Sequence, residues 1–314
     1  MIDPELKPFL ADWANKWSRA SPGASVQARR ALFETIALEM RLPTPEDIDT
    51  DDEHWIESSA GRVRVRVFRH RSGGVQPCLV YMHGGAWMQG SPETHWDITA
   101  RIASRNKQTV ISVDYAKAPE HPFPAGLNQC ADVLRWAFAQ AAALGIDPHR
   151  LAVGGDSAGA NLAAALTLMF RDQDITLMAQ MLVYPAVEFT QSRPSFRENP
   201  DGPIIRVADM PMVNRQYCAD PAHLTHPLAA PLLASDHGRL PPAYIAVAEH
   251  DPLRDDGIAY AKALESAGIS VTLDRGTGLI HGYLRALDYC AASRDSLRHM
   301  SDWLARQNEA SHPA

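Results

Sequence analysis

The spacing of apolar and polar positions changes near the N-terminus of the chain. Through residues 1–45 the apolar side chains recur at helical intervals, with a break at Ser21, Pro22 and Gly23, so two helices are predicted. Residues 62–67 then alternate strictly between arginine and valine, which is typical of a half-buried strand. Residues 55–59 are the expected hairpin partner of that strand. The pattern therefore predicts a helical N-terminal segment followed by a sheet.

Short apolar runs and helical stretches alternate from residue 78 onward. Parallel strands that are buried on both faces are almost continuously apolar, and helices connect them. The chain is therefore predicted to have an α/β fold with a mostly parallel central sheet flanked by helices. The predicted strands are 78–82, 109–113, 151–153, 178–183, 243–248 and 269–273, and the predicted helices include 131–144, 158–170 and 257–267.

One interval does not fit this alternation. About sixty residues separate the run that ends at residue 183 from the run that starts at residue 243, which is longer than an ordinary connection in a compact sheet. These residues carry several prolines and one helix-like piece, 207–217. We expect an inserted lid over residues 188–235, between the core segments 46–187 and 236–314.

Composition and charge narrow the classes of function. Lys and Arg number 30 against 37 Asp and Glu, a net charge of −7, whereas a nucleic-acid binder presents a basic patch. The four cysteines, at positions 78, 130, 218 and 290, lie far apart without metal-ligand spacing, so we expect buried thiols in a reducing compartment and no bound metal. We find no signal peptide, membrane-spanning run or phosphate-binding loop in the sequence. The protein is therefore expected to be cytoplasmic and to need no cofactor.

A GxSxG motif at residues 155–159 gives the strongest indication of chemistry. Gly155, Ser157 and Gly159 follow a predicted strand and precede a predicted helix. A sharp strand-to-helix turn raises the central serine above the sheet, and the flanking glycines permit a close approach of strand and helix. Ser157 is therefore the candidate nucleophile.

A serine nucleophile needs a base, and the base needs an acid that fixes its tautomer. His281 follows the last predicted strand and a glycine-bearing loop, which places it at the same edge of the sheet as Ser157. Asp251 follows the strand 243–248 and is the candidate acid. An aspartate before a proline is also a common helix start, and both descriptions can hold for Asp251.

Two further carboxyl groups, Asp255 and Asp256, compete with Asp251 for the role of the acid. They lie within the predicted helix that follows, where we expect them to face solvent or Arg254. The chain order serine, aspartate, histidine at three successive strand ends favours Asp251, because one hydrolase fold uses this order.

The motif HGGAW at residues 83–87 predicts an oxyanion hole. It follows the strand 78–82, and adjacent glycines let backbone N–H groups approach a substrate oxygen without an intervening Cβ. We expect the N–H groups of Gly84 and Gly85 to bind the oxyanion, with the N–H of Ala158 as a third donor. An ordinary glycine turn is the alternative.

The motifs HGGAW, DYAKAPEHPFPA, GDSAGAN, DPLRDDG and HGY, in this order, resemble those of the bacterial hormone-sensitive-lipase-like carboxylesterases of the α/β-hydrolase fold. The resemblance runs from about residue 63 to the last predicted helix. It implies a helical cap built from residues 1–45 and 188–235. It also implies the triad and oxyanion residues given above: Ser157, Asp251, His281, Gly84, Gly85 and Ala158.

The resemblance implies hydrolysis of short- to medium-chain carboxylic esters through an acyl-enzyme intermediate, with a small-molecule substrate and no cofactor. Amidase, deacetylase or dehydratase chemistry on the same scaffold is the alternative. A non-catalytic small-molecule-binding relative is disfavoured because His281 is present. We expect a monomer or a homodimer that binds no nucleic acid.

Apolar side chains in the two cap segments suit the roof of a pocket that limits acyl length. The expected lining residues are Trp87, Met210, Met212 and Tyr217. Ala86 replaces the third glycine that is usual in this family, which narrows the loop but leaves both expected donors. By resemblance, Asp156, Asp114 and Glu120 anchor turns beside the site and take no part in the reaction.

Overall fold

The computed structural model describes residues 1–310, and a single mixed sheet organises them. Its eight strands lie in the order β1-β2-β4-β3-β5-β6-β7-β8. Strand β2 is antiparallel to both β1 and β4, and all other neighbours are parallel, which confirms the predicted mostly parallel sheet. The strands are β1 Ile48–Ile56, β2 Val63–His70, β3 Gln76–Met82, β4 Thr109–Asp114, β5 Ile146–Asp156, β6 Ala179–Val183, β7 Ala243–Ala246 and β8 Val271–Asp274.

Helices connect the strands and cover the sheet. They are α1 Leu6–Trp17, α2 Val26–Glu39, α3 Trp96–Asn106, α4 Ala125–Ala139, α5 Ala141–Leu144, α6 Ala158–Phe170, α7 Pro194–Glu198, α8 Met210–Tyr217, α9 Arg254–Ser266 and α10 Ala291–Ala310. Within residues 1–310, none of these helices combines the length and apolar character that crossing a membrane requires. All four cysteines are buried free thiols.

Two elements differ from the sequence prediction. The hairpin partner of β2 is β1, which begins at Ile48 and ends at Ile56, so only the first two residues of the expected 55–59 strand belong to it. Helix α3 was not predicted. Its N-cap, His95, makes no side-chain cap hydrogen bond, so the start of this helix carries no capping signal in the sequence.

Helices pack on both faces of the sheet, as predicted. Buried side chains of α4, α6 and α9 pack on one face of the sheet, against β-branched residues of β2, β3, β4 and β5. Buried side chains of α1, α3 and α10 cover the other face. The central strands β3 and β6 are buried at every position, which explains their continuous apolar runs.

The N-terminal helices α1 and α2 lie across the loops that follow β3 and β4. Phe33 of α2 packs against Trp13 and Trp17 of α1, with ring centres 6.2 and 5.9 Å apart. Arg30 donates through Nε to the carbonyl oxygen of Met88 at 2.5 Å and through Nη2 to that of Ala118 at 2.8 Å. Both carbonyls follow the carboxyl ends of parallel strands, so α2 is fastened over that edge of the sheet.

Residues 188–235, the expected insertion, lie over the same edge. The ring of Tyr217 in α8 stacks on that of Trp87 in the loop after β3, with centres 4.2 Å apart and planes 9° from parallel. Ile204 lies against Gly282, the residue after His281. Both contacts place the insertion above the carboxyl ends of the strands.

Asp256 does not face solvent, which corrects the expectation for this residue. Its side chain is 0% exposed, because the insertion covers the first turn of α9. Arg193 of the insertion donates from Nε to Asp256 Oδ1 at 3.0 Å and lies 2.6 Å from Glu188 Oε1 through Nη2. Asp255 binds Arg254 as expected, and it also accepts the N–H of Ser195 at 2.9 Å.

Burial, with the neighbouring Glu188, raises the pKa of Asp256 to about 8. The folded chain therefore retains a proton that an unfolded chain, whose aspartates titrate near pH 4, has released. Stability from this group is greatest below pH 4 and falls as the pH rises towards 8. Asp256→Asn should remove this dependence, so the free energy of unfolding of the variant, relative to wild type, should rise between pH 5 and pH 8.

Urea denaturation at several pH values measures this difference. Asp255→Asn is the matched control, because the pKa of Asp255 is lowered; its own contribution to stability is lost only as the pH falls into the acid range. Parallel stability curves for wild type and Asp256→Asn from pH 5 to pH 8 would contradict the assignment of a retained proton to Asp256.

Candidate active site

Ser157 occupies a strained turn between β5 and α6. Its backbone has φ 55° and ψ −118°, in a region that a residue with a Cβ rarely adopts. Its N–H donates to the carbonyl oxygen of Val183 at the end of β6, at 2.8 Å. A Cβ at either Gly155 or Gly159 would overlap the carbonyl oxygen of Met82, so both motif glycines are required by close packing.

His281 and Asp251 reach Ser157 from the ends of β8 and β7. His281 Nε2 lies 2.9 Å from Ser157 Oγ, and His281 Nδ1 lies 2.8 Å from Asp251 Oδ2. The other oxygen of Asp251 accepts the N–H of Leu253 at 2.8 Å, in the turn before α9; the N-cap of that helix is Leu253, not Asp251 as the sequence suggested. The structure brings together all three residues that the sequence singled out.

The surroundings of His281 favour one orientation of its ring. Asp251 is fully buried, His281 is 5% exposed, and the ring of Tyr184 packs on the imidazole at 4.7 Å between centres. A carboxylate bound to Nδ1 keeps the proton on that nitrogen, which leaves Nε2 as the acceptor for the serine hydroxyl. The arrangement can therefore deprotonate Ser157 and stabilise the imidazolium that results.

Gly84 does not supply an oxyanion donor, which corrects the sequence prediction. Its N–H donates to Asp156 Oδ1 at 2.9 Å and lies 3.2 Å from His95 Nε2. A Cβ at Gly84 would lie 2.5 Å from Asp156 Oδ2, so this glycine allows the loop to close on a buried carboxylate. The first glycine of HGGAW therefore anchors the loop, and its N–H is occupied.

Three other N–H groups remain available beside Ser157. In the part of the chain that the structure describes, the N–H groups of Gly85, Ala86 and Ala158 donate to no other group. Gly85 and Ala86 have φ values of 132° and 56°, which turn successive peptides of the loop. Ala158 opens α6, where the dipole favours negative charge. Sequence reasoning missed Ala86, although its position after two glycines was a usable signal.

Asp156 is buried among hydrogen-bond donors directly before Ser157. Beyond Gly84, it accepts the hydroxyl of Tyr81 at 2.9 Å and that of Tyr184 at 3.3 Å. Burial alone would raise its pKa, but the charge of Arg285 and the Tyr81 hydroxyl hold that pKa below its usual range. Asp156 is therefore an ionised anchor with no contact to the reacting atoms.

Asp114 and Glu120 also hold loops near the site. Asp114 lies 3.0 Å from Arg64 and 2.5 Å from Lys117, while Glu120 binds Arg30 of α2 at 2.7 Å. These contacts agree with the turn-anchoring roles that the resemblance implied.

The expected pocket residues differ in their exposure. Trp87 and Tyr217 are buried in the aromatic stack described above. Met210 is half-buried against the same apolar cluster, whereas Met212 is 44% exposed. The structure therefore places Met212 at the surface of the insertion.

One group of potential metal ligands comes together within residues 1–310. It consists of Asp3, Glu5 and Cys290, and it includes none of the residues around Ser157. The carboxylate of Glu5 already accepts the N–H of Ala291 at 2.6 Å.

Comparison with known proteins agrees with this geometry. A family model described as alpha/beta hydrolase fold matches residues 79–285. The carboxylesterase NlhH of Mycobacterium tuberculosis is 42% identical over 212 residues, which span 66% of this chain and 66% of that protein, about two thirds of each. The esterase LipI of the same organism is 38% identical over 235 residues, or 73% of each chain.

Among solved structures, the hyperthermophilic esterase from the archaeon Pyrobaculum calidifontis is 33% identical, with a TM-score of 0.90 over 99% of both chains. The fold and the site thus define an α/β-hydrolase with a serine, histidine and aspartate at three strand ends. The chain belongs to the hormone-sensitive-lipase-like carboxylesterases of that family, and its class is that of the carboxylic ester hydrolases.

Proposed function

We propose that this protein hydrolyses short- to medium-chain carboxylic esters with Ser157 as nucleophile, His281 as base and Asp251 as the acid that orients it. The observation that carries the proposal is the continuous hydrogen-bonded path from Asp251 Oδ2 through His281 to Ser157 Oγ, with steps of 2.8 and 2.9 Å. Both distances suit proton transfer and tautomer control without rearrangement.

The reaction proceeds through an acyl-enzyme. Ser157 Oγ bonds to the ester carbonyl carbon, its proton passes to His281 Nε2, and the carbonyl oxygen becomes an oxyanion. The tetrahedral intermediate then expels the alcohol, which takes the proton from His281. Water repeats the sequence on the acyl-enzyme and releases the carboxylic acid, which returns Ser157 to its starting state.

We assign the oxyanion hole to the N–H groups of Gly85, Ala86 and Ala158. The first two lie in a loop whose preceding N–H is fixed on Asp156, and the third opens α6. Donors that are already oriented cost no reorganisation as the negative charge forms, and each is worth about 3 kcal/mol of barrier in comparable enzymes.

We also propose that residues 1–45 and 188–235 form one cap over the core segments 46–187 and 236–314. The contacts of Arg30 with the loops after β3 and β4, and of Tyr217 with Trp87, support this division. Trp87, Met210 and Tyr217 then belong to the wall of a pocket for a small ester. The four buried free thiols suit a reducing compartment and support a cytoplasmic location.

Ser157→Ala tests the proposed function directly. The proposed oxyanion donors and the pocket remain in this variant, but they cannot replace the nucleophile, so kcat for p-nitrophenyl butyrate should fall by several orders of magnitude, up to about 10⁶-fold. Covalent labelling by a serine-directed phosphonate should disappear, while circular dichroism and the melting temperature stay close to wild type. Retention of more than a few per cent of kcat would overturn the assignment.

The role of Asp251 is tested against its neighbour Asp255. Asp251→Asn presents an amide to His281 Nδ1 and favours the wrong tautomer, so we expect kcat to fall by about 10⁴-fold, the cost measured for the equivalent change in a serine protease. Asp255→Asn removes only contacts with Arg254 and Ser195 and should keep kcat within a few-fold of wild type. Equal losses in two folded variants would leave the acid unassigned.

The cap should set a preference for short acyl chains. Each methylene that the pocket holds contributes about 0.8 kcal/mol of burial, so kcat/KM should rise from acetyl to butyryl or hexanoyl esters and fall beyond about ten carbons. Met210→Ala should move the optimum to longer chains. Met212→Ala should move it less, because this side chain is 44% exposed.

A series of p-nitrophenyl esters, from acetate to palmitate, measures the preference in wild type and both variants. Highest activity on palmitate would indicate an open groove in place of a capped pocket. An unchanged chain-length profile in Met210→Ala would remove this residue from the pocket wall.

A further inference from the structure

Arg285 lies between the N-terminal helices and the loop that carries the proposed oxyanion donors. It belongs to the 3₁₀ turn Tyr283–Ala286, directly after His281 and Gly282. Its guanidinium carbon lies 4.5 Å from the ring centre of Phe33 and 5.8 Å from that of Trp13. Two aromatic side chains of α1 and α2 thus hold this cation on its outer side.

The inner side of the guanidinium fixes the tautomer of His95. Arg285 Nη2 lies 2.8 Å from His95 Nε2, and Nη1 donates to the carbonyl oxygen of Thr94 at 3.1 Å. An arginine can only donate, so Nε2 must accept and the proton of His95 must sit on Nδ1. Nδ1 in turn lies 2.8 Å from Thr94 Oγ1, which accepts the hydrogen bond from the protonated Nδ1.

The same His95 Nε2 faces the peptide that begins the oxyanion loop. The N–H of Gly84 points between His95 Nε2, at 3.2 Å, and Asp156 Oδ1, at 2.9 Å. The carbonyl oxygen of Gly84 is bound by His83 Nδ1 at 2.9 Å. With both ends of this residue held, the direction of the next N–H, that of Gly85, is set.

We propose that Arg285 is a positioning residue, which transmits the seating of the N-terminal helices to the oxyanion donors through His95 and Gly84. The inference rests on the proposed function, because it assigns a role in the same reaction. Trp13 and Phe33, which pack on Arg285, then also influence kcat. Loss of Arg285 frees His95 Nε2 to take up a proton and donate it to Asp156 Oδ1, which lies 3.3 Å away. A protonated Nε2 can no longer accept the N–H of Gly84.

Arg285→Met, which keeps the unbranched stem of the side chain without its donors, tests this role. The readouts are kcat and KM for p-nitrophenyl butyrate, and the inhibition constant of a trifluoromethyl ketone, to whose carbonyl Ser157 adds to form a bound oxyanion. We expect kcat to fall about 10- to 100-fold, which is at most about the cost of removing one oxyanion donor. KM should change less than about threefold. The ketone should lose affinity by the same factor as kcat/KM.

Arg29→Met is the matched control. Arg29 also stacks on an aromatic ring of α1, with its guanidinium carbon 5.2 Å from the ring centre of Trp17. Within residues 1–310 it makes no hydrogen bond or ion pair with the oxyanion loop. Its kcat and ketone affinity should equal those of wild type. Arg285→Lys restores the charge without the planar fork, so it should recover only part of the lost kcat.

A purely structural role for Arg285 predicts a different result. The melting temperature of Arg285→Met would fall, while kcat per titrated active site and ketone affinity stayed at wild-type values, and this would overturn the inference. If Arg285→Met does not fold, Phe33→Leu carries the same test, with a smaller decrease of kcat and ketone affinity expected and unchanged values overturning it. Wild type that neither hydrolyses esters nor reacts with a phosphonate would overturn the proposed function itself.

Discussion

A buried carboxylate, Asp156, joins the parts of the site that must not move relative to one another. It lies one residue before the candidate nucleophile and accepts donors from β3, from the loop after β3 and from the residue after β6. An ionised carboxylate in the interior is costly unless donors surround it, so the fold must keep these elements together. The strained turn at Ser157 and the close contact of its glycines with Met82 lie directly beside this carboxylate.

Residues 1–45 and 188–235, the two proposed cap segments, are attached by charged side chains that extend to or from the core. Arg30 of α2 binds carbonyl oxygens in two loops, and Arg193 of the insertion binds Asp256 of α9. Arg285 extends in the opposite direction, from the core to Phe33 of α2. Each cap segment is therefore attached by directional contacts close to the reacting residues, as well as by apolar packing.

Most of the sheet and the candidate triad were predictable because their signals are local. Several strands contain a short apolar run, and Ser157, Asp251 and His281 each follow one of those runs. The identity of the proposed oxyanion donors was not predictable in the same way. Which N–H of HGGAW stays free depends on the direction of the Gly84 peptide, and distant residues, Asp156 and His95, set that direction.

One other error has the same origin. Asp256 has the sequence context of an exposed residue in the first turn of a helix, but Arg193, which is distant in the sequence, pairs with it, and its side chain is fully buried. Burial by another part of the chain, which a single sequence does not display, decided the outcome at this position.

The contact between α1 and the C-terminal part of the chain has a consequence during synthesis. Asp12 accepts the hydroxyl of Tyr289 at 2.8 Å, across a sequence separation of 277 residues. A ribosome that adds about 5 to 20 residues per second needs roughly 15 to 55 s to cover that distance. The aromatic face of the first two helices therefore emerges long before its partners exist. During that interval a nascent chain must keep Phe9, Trp13 and Phe33 away from other chains, and chaperones that bind exposed aromatic segments would meet this one first.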